Sequence, residues 1–129
     1  MPPLLLWNWF SLDMTASKMT IDAKDQMLGR LASRAAAVLI GKNSPAFLKH
    51  IKEDHRVEII NAAKVKVSGS KMKDKQYTRY SGYHSGLHKR SMGKEFARSP
   101  SYVIRKTIWG MLPKNKLRKR IIKNLTITD

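Results

Sequence analysis

Between Lys114 and Arg120 the chain reads KNKLRKR, five cations in seven residues, directly after Pro113. Lysine and arginine at this density can neutralise phosphates and release their condensed counterions. A second stretch, residues 71–90, interleaves cations with aromatics: KMKDKQYTRYSGYHSGLHKR. Here Lys71, Lys73, Lys75, Arg79, Lys89 and Arg90 can meet phosphates, while Tyr80, Tyr83, His84 and His88 can stack on splayed bases and Ser81 can reach a ribose 2′-hydroxyl. Gly82 and Gly86 would let one backbone approach another closely. Tyr77 is the tyrosine of this stretch expected in the core of a strand, and Tyr83 is not.

Other chemistries find little support. No G-x-G-x-x-G follows the first strand, and SGSKMK lacks the spacing of a phosphate-binding Walker loop. His84 and His88 have the spacing of ligands on a helix, but Gly86 between them argues for a loop, and neither cysteine nor nearby carboxylates complete a metal site. Asp22 and Asp25 stand at a strand end, where α/β proteins often carry function. They are expected to cap the following helix, whose positive end favours carboxylates. Glu53, Asp54 and His55 read as a solvated turn.

The whole chain carries the same bias. Its 129 residues hold 26 Lys and Arg against nine Asp and Glu, a net charge of +17. Such an excess repels itself in a compact state and implies a polyanionic partner, most often nucleic acid. The imbalance is also local, since Phe96 to Thr128 contains nine Lys or Arg and no acid. A hydrophobic content of 42% in a chain of this length supports one folded domain. The absence of cysteine excludes disulfides and thiolate sites.

Residues 1–18 are apolar but interrupted by Asn8, Ser11 and Asp13, too short to span a bilayer, with no basic residue before the apolar run, unlike a secretory leader, and no arginine, unlike a transit peptide. They read either as an extension packing on a neighbour through Trp7, Trp9 and Phe10, or as the result of an upstream start, with Met14 or Met19 the true one. The domain proper is assigned to residues 19–129.

Elements that would position the cations follow from periodicity. MTIDA (19–23) predicts a strand, and Leu28, Leu31, Ala32, Ala35, Val38 and Leu39 recur at helical steps up to a cap at Gly41. RVEIIN (56–61) predicts a second strand, parallel to the first across that helix. Residues 62–69 fit a helical turn or a strand equally. KQYTRYS predicts a third strand, and 81–93, with three glycines, a loop. Ser99 before Pro100 opens a helix that Pro113 ends, with Val103, Ile104, Ile108, Met111 and Leu112 inward. Asn115 caps a second helix in which Leu117, Ile121 and Leu125 share a face, leaving Lys116, Arg118, Lys119, Arg120 and Lys123 outward. LTIT (125–128) is a candidate terminal strand. The architecture expected is a single α/β domain, a small mostly parallel sheet with helices on both faces. A cationic helix can also lie on anionic lipid, but this apolar stripe is narrow and lacks aromatics, so burial in its own core explains it better.

The blocks IDAKDQMLGRLAS, INAAKV, YTRYSGY, Gly86-Leu87 and above all GMLPKNKL occur in an order and spacing that resembles the universal large-subunit ribosomal protein L-thirteen family, across about residues 19–127. Lys114, where archaeal and eukaryotic relatives usually carry histidine, points to the bacterial or organellar branch. The resemblance implies a non-enzymatic α/β domain bound to large-subunit ribosomal RNA early in assembly, among other ribosomal proteins in the cytoplasmic ribosome, with no cofactor, metal, membrane or small-molecule substrate. It also implies that YTRYSGY and GMLPKNKL face RNA. Added to the charge pattern, this makes the candidate contacts Lys71, Lys73, Lys75, Arg79, Tyr80, Ser81, Gly82, Tyr83, His84, His88, Lys89 and Arg90 in one stretch, and Lys114, Asn115, Lys116, Arg118, Lys119, Arg120 and Lys123 in the other. Tyr80 departs from the histidine common in the family, which would keep stacking but lose an imidazole contact. The chain stops at Asp129 where many relatives continue, so contacts of that tail are expected to be missing. A nucleoid-type DNA-binding protein is the alternative.

Overall fold

The computed structural model describes residues 18–45, 47–50 and 54–129. The apolar stretch with Trp7, Trp9 and Phe10, and Glu53 of the expected turn, lie outside the described residues.

Three short strands form a parallel sheet in the order β1-β2-β5, from Lys18–Asp22, Arg56–Ile60 and Leu125–Ile127. The register sets Ile21 beside Ile59 and Val57 beside Leu125, so one face of the sheet is apolar. These four side chains are all buried. The opposite face carries Thr20, Glu58 and Thr126, with Lys18 paired to Glu58 at 2.8 Å.

Helix α1, Leu28–Ile40, connects β1 to β2. Its buried residues are the six that the periodicity marks, Leu28, Leu31, Ala32, Ala35, Val38 and Leu39, together with Ala36. It ends at Gly41, whose φ of 84° lets its amide and that of Lys42 satisfy the last carbonyls. Its start differs from expectation, because neither Asp22 nor Asp25 caps it. The Leu28 amide donates instead to the Lys66 carbonyl (2.9 Å), and the Lys66 amide to the Gln26 carbonyl (2.9 Å). The ambiguous segment 62–69 thus contains a 3-10 turn, Ala62–Lys64, followed by an extended residue that ties off the helix. Asp22 accepts from the Lys24 amide and from Asn61 Nδ2, each at 2.9 Å, joining the ends of β1 and β2. Asp25 pairs with Lys66 at 2.8 Å.

After a single turn, α2 (Lys71–Asp74), strand β3 (Gln76–Tyr80) pairs antiparallel with β4 (Leu87–Ser91). This hairpin is separate from the parallel sheet. It corrects the reading of 81–93 as loop, since only residues 81–86 form the connection. Leu87–Ser91 has no apolar alternation to announce a strand. It is one because β3 offers a ladder of backbone partners.

Helix α3 (Met92–Arg98) follows directly, then α4 (Pro100–Met111). Ser99 caps α4, its Oγ accepting from the Tyr102 amide at 3.3 Å, with Pro100 in the first turn. Val103, Ile104 and Ile108 are buried in the same core as Leu31 and Leu39 of α1. Pro113 ends α4 as expected. The helix after it is shorter than the i, i+4, i+8 pattern suggests, with α5 spanning Arg118–Ile121 and a 3-10 turn Ile122–Asn124 leading into β5. Ile121 and Leu125 are buried as the pattern requires, but Leu125 is delivered by a strand pairing with β2.

Candidate nucleic-acid interface

The two basic stretches of the sequence become two surfaces joined by α4. The first is the hairpin. Alternation along its strands puts the cross-strand pairs Tyr77–Arg90 and Arg79–His88 on one face, and Thr78–Lys89 and Tyr80–Leu87 on the other. The structure therefore does not gather the candidates of residues 71–90 onto one surface. Lys71 and Lys73 stand on α2, with Lys71 Nζ donating to Ser68 Oγ at 3.1 Å. Lys75 Nζ lies 5.8 Å from the Tyr77 ring. Ser81, Gly82, Tyr83 and His84 form the turn, where Tyr83 is 80% exposed and Tyr80 beside it 66%.

The turn is built around its glycines. Gly82 has φ of 87° with open space around it, so its missing side chain leaves the backbone accessible. Gly86 serves the turn itself. A Cβ there would run into the Ser81 hydroxyl and lie 2.9 Å from the Tyr83 carbonyl. Its amide donates to that carbonyl at 3.0 Å, and its own carbonyl accepts from the Ser81 amide at 3.1 Å. The close approach expected of Gly86 is thus made within the hairpin.

The face with Tyr77, Arg79, His88 and Arg90 looks across a cleft of about 1280 Å³ at Glu95, Arg98, Ser99, Tyr102 and Lys106 of α3 and α4. Arg98, Tyr102 and Lys106, absent from the candidates, recur at four-residue steps, a signal that was legible but shared with any solvated helix face. Arg90 Nη1 meets Glu95 Oε1 at 3.0 Å, and Glu95 is the buried charged residue of the described chain. Arg90 is therefore partly neutralised by its own fold. The Tyr77 and Tyr102 rings meet edge to face, with centroids 6.3 Å apart and planes at 81°. The Tyr77 hydroxyl is enclosed without a hydrogen-bond partner among the described residues, and burial, with Tyr102 and Glu95 nearby, pushes its pKa up. Tyr77 packs against the core, as expected of it.

The second surface is the tip after α4. The Asn115 side chain accepts from the Arg118 amide at 3.1 Å and holds the turn. Lys114, Lys116, Lys119, Arg120 and Lys123 are exposed. Arg118 corrects the expectation that it points outward. Its guanidinium lies over the Trp109 ring, 4.2 Å from the centroid, and donates to the Trp109 carbonyl. The reason is in the helix end. The residue four after Trp109 is Pro113, which has no N–H to offer that carbonyl, and Arg118 supplies the donor.

α4 thus works as a spacer. Tyr102 and Leu112 are ten residues apart, about 15 Å along a helix axis, so the cleft and the tip are held at a defined separation. Among the described residues no group of acidic and histidine side chains could hold a metal ion, and no helix is long and apolar enough to cross a membrane.

Residues 16–128 match the family described as Ribosomal protein L13. The chain belongs to this family. Similar proteins include the large ribosomal subunit protein uL13 of Mycobacterium tuberculosis, 46% identical over 115 residues, which cover 89% of this chain and 78% of the relative. The protein of the same name from Mycobacterium leprae is 45% identical over the same shares. That of Syntrophobacter fumaroxidans is 46% identical over 107 residues, 83% of this chain and 75% of the relative. The family is structural and non-enzymatic, which agrees with a site made of cations, aromatics and an amide cap. The small, mostly parallel sheet with its helices is the architecture the sequence pattern implies for a member.

Proposed function

We propose that this chain is a structural constituent of the large ribosomal subunit of a bacterial-type cytoplasmic ribosome and that it binds large-subunit ribosomal RNA early in assembly. The hairpin with its cleft and the tip after Pro113 hold two RNA segments at the spacing set by α4 and neutralise their repulsion. Other large-subunit proteins adjoin it. The observation that carries this reading is the cation surplus of residues 96–128, nine Lys or Arg with no acid, of which Lys114, Lys116, Lys119, Arg120 and Lys123 are exposed. Family membership and the names of the relatives support it.

The test is the salt dependence of binding to a large-subunit RNA fragment. With roughly eight phosphates engaged, log Kd against log salt concentration should change with a slope of about 6 to 7 in magnitude. Duplex DNA of equal length should compete poorly. A flat salt response, or equal competition by DNA, would overturn the reading.

A further inference from the structure

We propose that the cleft between the β3–β4 hairpin and α3–α4 holds an unpaired RNA segment, its phosphates between the two cationic walls and one base against Tyr102. This rests on the ribosomal RNA reading above and names what one of the two surfaces takes.

Cations line both walls. Arg79 comes from the hairpin, and Arg98 and Lys106 from the helices, whereas the single acid in the cleft, Glu95, is engaged by Arg90. Like charges on facing walls repel, and a polyanion threaded between them removes that cost. The aromatic provision is also specific. Tyr102 is fixed by its perpendicular contact with Tyr77 yet remains 45% exposed, which leaves ring area for a partner. Every base has a π-face to offer such a ring, but a duplex keeps those faces stacked inward, so an unpaired strand fits where a helix does not. Size points the same way. At about 1280 Å³ the cleft exceeds the roughly 300–1,000 Å³ typical of a small-molecule pocket, so an extended segment suits it better than one nucleotide.

The experiment uses the full chain with three probes: hexaadenylate RNA, a blunt RNA duplex with the same number of phosphates, and the large-subunit RNA fragment. Hexaadenylate should bind at least tenfold more tightly than the duplex. Arg98→Gln with Lys106→Gln should weaken hexaadenylate binding at least tenfold. Tyr102→Ala should weaken it about 5- to 100-fold, the range of one base–aromatic stack, with little change in salt slope, and Tyr102→Phe should restore it. Folding of the variants is not required for the second measurement. Hexamer carrying a photoactivatable base, crosslinked to the unaltered protein, should label residues 76–91 or 98–106. Labelling confined to 114–123, or hexamer affinity no better than duplex affinity, overturns the cleft inference. The ribosomal RNA reading then still stands if the large fragment keeps its salt-dependent binding against duplex DNA, and falls if that binding is itself salt-insensitive or duplex DNA competes equally.

Discussion

Replacing Arg118 by glutamine should destabilise the fold and leave the salt dependence of RNA binding nearly intact, the reverse of what its place in the basic run suggests. The substitution removes a cation stacked 4.2 Å from the Trp109 centroid, a contact worth about 1 kcal/mol when partly shielded. It also removes the donor to the Trp109 carbonyl, a hydrogen bond to a charged group, worth about 1.5–3 kcal/mol. Against this, Arg118 Nε is enclosed without a partner among the described residues, and losing it returns about 1 kcal/mol. The net is about 2 kcal/mol, or a fall in Tm of about 8 °C for a domain of this size. Changing Lys116, Lys119 and Arg120 together to glutamine should do the opposite. These side chains are exposed, so Tm should hold within about 2 °C, while the salt slope for the RNA fragment flattens by about 2 to 3. Arg118→Lys separates the two roles, because it keeps the charge but loses the planar stack and fork. It should share the lower Tm of the glutamine variant and the slope of the unaltered protein. Thermal melts followed by circular dichroism, with filter binding across a salt series, measure both. If Arg118→Gln melts within 1 °C of the unaltered chain and flattens the slope by a full unit, Arg118 is a phosphate contact and the reasoning from the helix end is wrong.

Two further outcomes follow from local geometry. The Lys24 amide and Asn61 side chain hold the Asp22 carboxyl below its ordinary 3.8, so its contribution is present above that pH and is lost as pH falls through the lowered value. Asp22→Asn should therefore make the acid side of a Tm–pH profile shallower below about pH 4, and an unchanged profile would show that the tie between β1 and β2 is immaterial. Gly86→Ala should force the hairpin turn open, so that the amides of Ser81 and Gly86, donors to Gly86 and Tyr83 carbonyls, lose hydrogen-exchange protection while those of β1 and β2 keep theirs. Retained protection at residue 81 would show that the turn absorbs the extra carbon.

Much of this protein could be read along the chain because its signals are local. Apolar residues at helical steps announce α1, Ser99 before Pro100 announces α4, Gly41 and Pro113 mark helix ends, and two β-branched runs flanking a helix imply parallel strands. Charge density marks the tip and the hairpin stretch without any structure, since counting cations needs no partner. The remainder depended on neighbours distant in sequence. Leu87–Ser91 is a strand only because Gln76–Tyr80 lies beside it, and a ladder of backbone bonds leaves no mark on side-chain composition. Asp22 and Asp25 look like helix caps until Asn61 and Lys66 arrive to take their oxygens. Arg98, Tyr102 and Lys106 are one more solvated stripe until the hairpin folds over them and turns the stripe into a wall of a cleft. Arg118 is one cation in a run until Pro113 leaves the Trp109 carbonyl without a donor. Composition set the cation surplus that implies a polyanionic partner. Which cations are free to meet it was decided by packing, because a charge that satisfies a helix end or a buried carboxylate is occupied by its own fold.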